Sequence, residues 1–143
     1  MKDQYENVVV EVICRILVPF VQIFAFYVIL HGHYSPGGGF QGGTILAASA
    51  ILLRLSLTGK EARKFSSRFA NSLGPFGLLI YGGVGLLALI AGGMYLDYAH
   101  LPFPFLLGPY LRHLGILLVE IGVALGVFAT LLSIFDRLSE GSE

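Results

Sequence analysis

The sequence predicts an all-helical integral membrane protein, a bundle of four transmembrane helices with a glycine-rich loop between the first and second. Three observations carry that prediction. Only 13% of the 143 residues are charged, about half the share found in soluble domains. Mean hydropathy is +0.78, which excludes a soluble domain. Apolar runs near the roughly 20 residues that cross a bilayer recur four times, over 8–30, 40–57, 74–96 and 114–135. The 9 basic residues balance the 9 acidic ones, so the clustered Lys and Arg that nucleic-acid binding requires are missing. A single cysteine, Cys14, leaves no internal disulfide and no CxxC pair.

The first run follows a mixed-charge opening, Met-Lys-Asp-Gln-Tyr-Glu, and no small-residue cleavage pattern comes after it, so it reads as a retained span. Glu11 and Arg15 are placed to neutralise each other one turn apart, and Pro19 invites a kink. The second run is the shortest. It offers Gly43 and Ala47 as a small face, and Arg54 near its end can snorkel to the interface. The link over 58–72, with Lys60, Arg63, Lys64, Phe65, Arg68 and Phe69, suits a helix lying on lipid head groups. In the third run Gly74, Gly85 and Gly92 fall along one helical line. The fourth carries Gly115, Gly122 and Gly126, the last two in GxxxG spacing. No link is long enough for a second domain, so residues 1–143 form a single membrane domain.

Basic residues fix the expected orientation, because Lys and Arg near span ends stay cytoplasmic. Four spans put Lys2, Arg15, Arg54, Lys60, Arg63, Lys64, Arg68 and Arg137 on one side and only Arg112 on the other. Both termini are therefore expected in the cytoplasm, in a multi-pass protein of the plasma membrane. His31, His33, His100 and His113 then fall near the external face, within a belt of Tyr and Phe.

Chemistry concentrates in two places. The segment His31-Gly-His33-Tyr-Ser-Pro36-Gly37-Gly38-Gly39-Phe40-Gln41-Gly-Gly43 contains a formal GxGxxG. A dinucleotide site needs a preceding strand, and a P-loop needs a closing Lys-Ser or Lys-Thr; neither is present. What remains is a tight re-entry into the membrane, where non-helical backbone must be covered by protein or line a cavity. Imidazole is the side chain whose ordinary charge change lies near neutral pH, so His31 and His33 serve either as proton relays or ligands or in interfacial hydrogen bonds. Two histidines do not make a zinc site, and no metal or cofactor is expected. Glu120 lies inside the fourth span, where an ionisable group is either functional or paired to a neighbouring helix. No Lys sits in the middle of any span, so this chain alone is a poor proton pump, and no nucleophile with a neighbouring base points to an enzyme.

The string HGHYSPGGGFQGG followed by a small-residue helix resembles the signature of the MnhB/MrpB family, one of the component chains of multisubunit Mrp-type Na⁺/H⁺ antiporters. The resemblance implies a small non-catalytic membrane subunit without cofactors, supporting sodium and proton translocation among other Mrp-type subunits. Related chains occur in the antiporter-like modules of membrane-bound hydrogenases and sulfur reductases. It also implies that the loop, here His33, Pro36, Gly37, Gly38, Gly39, Phe40 and Gln41, matters for antiport; Glu120 is not part of that signature. The alternative reading is a self-sufficient homo-oligomeric transporter of four-helix protomers, with Glu120 binding the solute.

Overall fold

The computed structural model describes residues 2–32, 34, 37–56, 67–103 and 108–140, with side chains described from residue 8 in the first helix, from 72 in the third and up to 139 in the last. His33, Ser35, Pro36, Phe105 and most of the 58–72 link lie outside the described residues. Four long helices follow in order: α1 (Lys2–Leu30), α2 (Gly39–Ser56), α3 (Ser67–Ile90) and α4 (Gly108–Glu140), and the described residues contain no strand. Three stretches are long and apolar enough to cross a membrane, Val8–Leu30, Ser72–Ile90 and Gly108–Ser139. The second expected span coincides with α2, whose 18 residues include Gln41, Arg54 and three glycines and so fall outside that set.

Sequence punctuation explains where the helices stop. At the end of α1 the His31 amide donates to the Tyr27 carbonyl at 3.0 Å, and the chain turns through a Tyr34 amide bond to the His31 carbonyl. Gly37 takes a φ of +140°, open to glycine alone in practice. The Gly42 amide then donates to the Gly38 carbonyl at 2.9 Å, which opens α2 and makes Gly38 its N-cap residue.

Hydropathy alone would carry the third run to residue 96, with Gly92 on the packing stripe. Instead α3 ends at Ile90. The Gly92 amide bonds the Leu89 carbonyl, the Gly93 amide bonds the Ala88 carbonyl, and Gly92 has φ +89°. That is a Schellman stop, and it removes Gly92 from the helix. Asp97 then caps a single 3₁₀ turn, Tyr98–His100, accepting from the Ala99 amide at 3.2 Å and binding His100 Nδ1 at 2.8 Å. α4 begins earlier than expected, at Gly108, with Pro109 in its first turn, where a missing amide costs nothing. Its 33 residues reach about 50 Å at 1.5 Å per residue, against a hydrocarbon core of about 30 Å.

The helices do not close into the expected bundle. They stand in a row, α1–α2–α4–α3: α2 packs on α1 and α4, α3 packs on α4, α1 barely reaches α4, and among the described residues α3 touches neither α1 nor α2 through its backbone. A row leaves two open faces, which is why so many large apolar side chains of α1 and α3 are exposed, from Val8 to Ile90. Such a surface suits lipid or neighbouring helices and not water. Hydroxyls on the helices are turned inward on their own backbone: Thr44, Ser49, Ser56 and Thr130 each donate to a carbonyl three or four residues back, at 2.7–3.0 Å.

α2 and α4 run parallel in one constant register. Gly39 meets Glu120, Gly43 meets Ala124, Ala47 packs with Phe128 and Leu132, and Arg54 pairs with Asp136. Small residues every fourth position let two backbones approach where side chains would hold them apart. A Cβ on Gly39 would fall on the Glu120 carbonyl, and one on Gly43 would stand 2.6 Å from the Ala124 carbonyl oxygen. α3 crosses α4 antiparallel, with Gly77 and Gly122 at the closest point: each one's missing Cβ would lie 2.5–2.8 Å from the other's carbonyl oxygen.

Candidate functional site

Glu120 and the glycine loop come together. The carboxylate of Glu120 occupies the space that side chains on Gly32 and Gly38 would fill: a Cβ on Gly32 would stand 2.5 Å from Oε1 and 2.6 Å from Oε2, and one on Gly38 would stand 3.2 Å from Oε1. Gly32 and Gly38 are themselves back to back, a Cβ on the former meeting the Cα of the latter at 2.6 Å. The loop is thus pinched shut at its base, and the carboxylate sits in the pinch. Its Oε2 is closed off from solvent.

Position explains the arrangement. The first three amides of α2, those of Gly39, Phe40 and Gln41, have no carbonyl partner within the helix, and the helix dipole adds partial positive charge there. Ser, Asp or Asn at the N-cap would ordinarily answer those amides. Gly38 has no side chain to do so, and Glu120 Oε1 of α4 lies 3.2 Å from where a Gly38 Cβ would stand. The site therefore rests on the α2–α4 register, which Gly39 and Gly43 make possible.

The remaining expected residues are distributed around this point. Gln41 folds back on the loop, its Oε1 2.9 Å from where a Gly37 Cβ would be. Phe40 turns the other way: it is 65% exposed and forms one wall of an apolar groove of about 650 Å³ between α2 and α3, floored by Gly122 and Gly126 and closed opposite by Gly77 and Tyr81. His31 turns onto its own helix, its Nδ1 3.2 Å from the Tyr27 carbonyl oxygen and its ring stacked on Tyr27 with centroids 4.3 Å apart. His113 stacks with Tyr34 of the loop, and His100 belongs to Asp97. Among the described residues no three His, Cys, Asp or Glu side chains converge as metal ligands would.

Two residues take roles that the sequence does not show: Tyr98, which spacing places only in the interfacial aromatic belt, and Asp136. Tyr98, beyond the end of α3, packs on Gly115. Burial, then the neighbouring Tyr81 and Glu120, raises its phenol above the usual tyrosine value. At the far end of the seam Arg54 and Asp136 form an ion pair, their side chains only 10% and 18% exposed. Spacing alone leaves Arg54 a cation snorkelling to the interface; its partner lies 82 residues away, beyond the reach of any local rule. Glu11 and Arg15 do pair as expected, at 2.6 Å.

A family model described as "Domain related to MnhB subunit of Na+/H+ antiporter" matches residues 9–133. The chain belongs to the MnhB family. The match runs from α1 through the glycine loop and Glu120 into the last third of α4. Among relatives, a Na⁺/H⁺ antiporter subunit of Alkalihalophilus pseudofirmus is 31% identical over 144 residues, covering 92% of this chain and 96% of the relative. A putative antiporter subunit mnhB2 of Staphylococcus haemolyticus is 32% identical over 137 residues, covering 94% and 96%. A Na⁺/H⁺ antiporter subunit of Bacillus subtilis is 36% identical over 95 residues, 66% of this chain and 61% of that one. This MnhB protein therefore aligns with nearly the whole length of the first two.

Proposed function

We propose that this MnhB protein is a non-catalytic subunit of a multisubunit Na⁺/H⁺ antiporter, held among other Mrp-type membrane subunits, and that its contribution to exchange is the glycine loop seated on Glu120. Membership in the family over residues 9–133 supports the first part. The observation that carries the second is the placement of the Glu120 carboxylate against the positions that side chains on Gly32 and Gly38 would take, at the start of α2. The chain has the wrong residues for pumping alone, since its three lysines, Lys2, Lys60 and Lys64, all lie outside the apolar spans. A row of helices with two open faces suits a subunit that others complete. No observation favours the homo-oligomeric alternative.

The reading includes four membrane crossings in the plasma membrane, with both termini cytoplasmic. α2 supports the fourth crossing: between its contacts with Glu120 and Asp136 it runs beside α4 for about 22 Å at 1.5 Å per residue. The test is Na⁺-driven proton movement in vesicles carrying the whole complex. Phe40→Ala and Gly38→Val should abolish exchange while the complex is present in normal amount. Undiminished exchange in both would remove the loop from the mechanism.

A further inference from the structure

We propose that Arg54 and Asp136 are positioning residues for exchange: their ion pair selects one register of α2 on α4 over another a turn away, and so holds the glycine loop at Glu120. The inference deepens the reading of the loop given above and rests on it for its bearing on exchange. The seam between the two helices repeats itself. Gly39 lies against Glu120, Gly43 against Ala124 and Ala47 against Phe128, so each step of four on α2 matches a step of four on α4. A slip of α2 by four residues towards its own C-terminus, about 6 Å at 1.5 Å per residue, sets Gly39 against Ala124, Gly43 against Phe128 and Ala47 against Leu132. Glycine still faces Ala124, and these three levels lose one methyl contact and gain no clash.

A small-residue face thus sets how near two helices come and leaves their register almost open. The ion pair closes that choice. The same slip carries Arg54 about 6 Å past Asp136 and brings Ala50 and Ile51 level with that carboxylate. Both side chains of the pair are largely buried, so separating them leaves Asp136 charged among apolar neighbours, the costly way to break such a pair. A lone buried Asn fixes the register of a coiled coil by the same logic. α1 offers little resistance to the slip: Gly42 of α2 meets Ala25 and Ile29, so α1 travels with α2, and it barely reaches α4. At the other end of the seam the slip draws Gly38 and Gly39 a full turn past the Glu120 carboxylate.

Thr44 reads the register, because it lines the same groove as Val123 and Leu131 of α4. One residue beyond Gly43, it lies level with Leu125, about 3 Å along the axis from Val123 and about 9 Å from Leu131; after the slip the two values change places. With Cys14→Ala as background, Thr44→Cys is combined with Val123→Cys or with Leu131→Cys, and a short bifunctional thiol reagent is applied to the assembled complex in native membranes. The Val123 pair should cross-link and the Leu131 pair should not. Arg54→Leu with Asp136→Leu should leave the complex in normal amount and make both pairs cross-link, while exchange per complex falls about twofold as half the molecules leave the register. Arg54→Asp with Asp136→Arg, which reverses the pair, should return both the cross-linking pattern and the rate. A Leu131 pair that stays unreactive in the first of these variants, or stays reactive in the reversed one, overturns the inference. Should the first fail to assemble, Arg54→Met with Asp136→Leu takes its place, and loss of both complexes overturns the inference by making the pair a requirement of assembly. A cross-link that moves while exchange is undiminished would remove the loop from transport and leave register selection standing, so the two failures are distinguishable.

Discussion

Along α2, Gly39, Gly43 and Ala47 recur every fourth residue, and α4 lies parallel beside them from Glu120 to Asp136; α3 meets α4 antiparallel and comes as close only where Gly77 faces Gly122. Both seams are made of glycine, yet one is closed along its length and the other opens into the groove beside Phe40. The difference lies in what stands at the ends. The parallel seam is pinned by Glu120 at one end and by the Arg54–Asp136 pair at the other. The antiparallel seam is finished by apolar packing of Val84, Ala88, Leu101 and Leu111. Small residues permit close approach, and polar contacts at the ends hold the register.

The largest effect should come from breaking a pin. Arg54→Leu leaves Asp136 with its charge and no cation, and should cost about 4 kcal/mol in a denaturing-detergent titration of the purified complex, with most of it returned by Arg54→Leu and Asp136→Leu together. Gly39→Ala should cost about 3 kcal/mol in the same titration, because its methyl lands on backbone that cannot turn aside. Gly122→Ala tests the looser seam and should cost about 2 kcal/mol, since a small shift of α3 into the groove relieves it. Gly126→Ala meets nothing within 4 Å and should stabilise α4 by about 1 kcal/mol through helix propensity. The smallest effect concerns Tyr98. Its raised phenol means that folding favours the neutral form, so the associated stability is intact below the ordinary tyrosine value and is lost as pH rises through the shifted one. Tyrosinate absorbance should show a late-ionising phenol that disappears in Tyr98→Phe.

Much of this is legible in the sequence, because long apolar runs and glycine spacing are local signals. The first run reads as 8–30, and that stretch is among those apolar enough to cross a membrane; α2 matches its expected bounds within a residue at each end. Gly43 and Ala47 stand out by spacing as a packing face, and they are one. The errors come where backbone conformation overrides hydropathy. Met94, Tyr95 and Leu96 continue an apolar run, but the left-handed Gly92 and Leu96 turn the chain away from the helix. Gly108 and Pro109 start α4 ahead of the fourth apolar run, which begins at 114. Contacts between helices are not legible at all. Nothing in the spacing of Gly38 and Glu120, or of Arg54 and Asp136, says that they meet, because the α2–α4 register depends on backbones meeting where side chains are missing.

The row has a consequence for how the protein is made. Among the described residues α4 is the one helix that touches all the others, and it is synthesised after them. Until it leaves the ribosome, α1 and α2 can form only a hairpin, and α3 has neither of them to rest against. The glycines at the start of α2 wait for Glu120, and Arg54 waits for Asp136, through the insertion of everything between. A nascent chain of this design must therefore be sheltered by lipid, insertion machinery or partner helices, and these contacts form in one late step when α4 slides in beside α2.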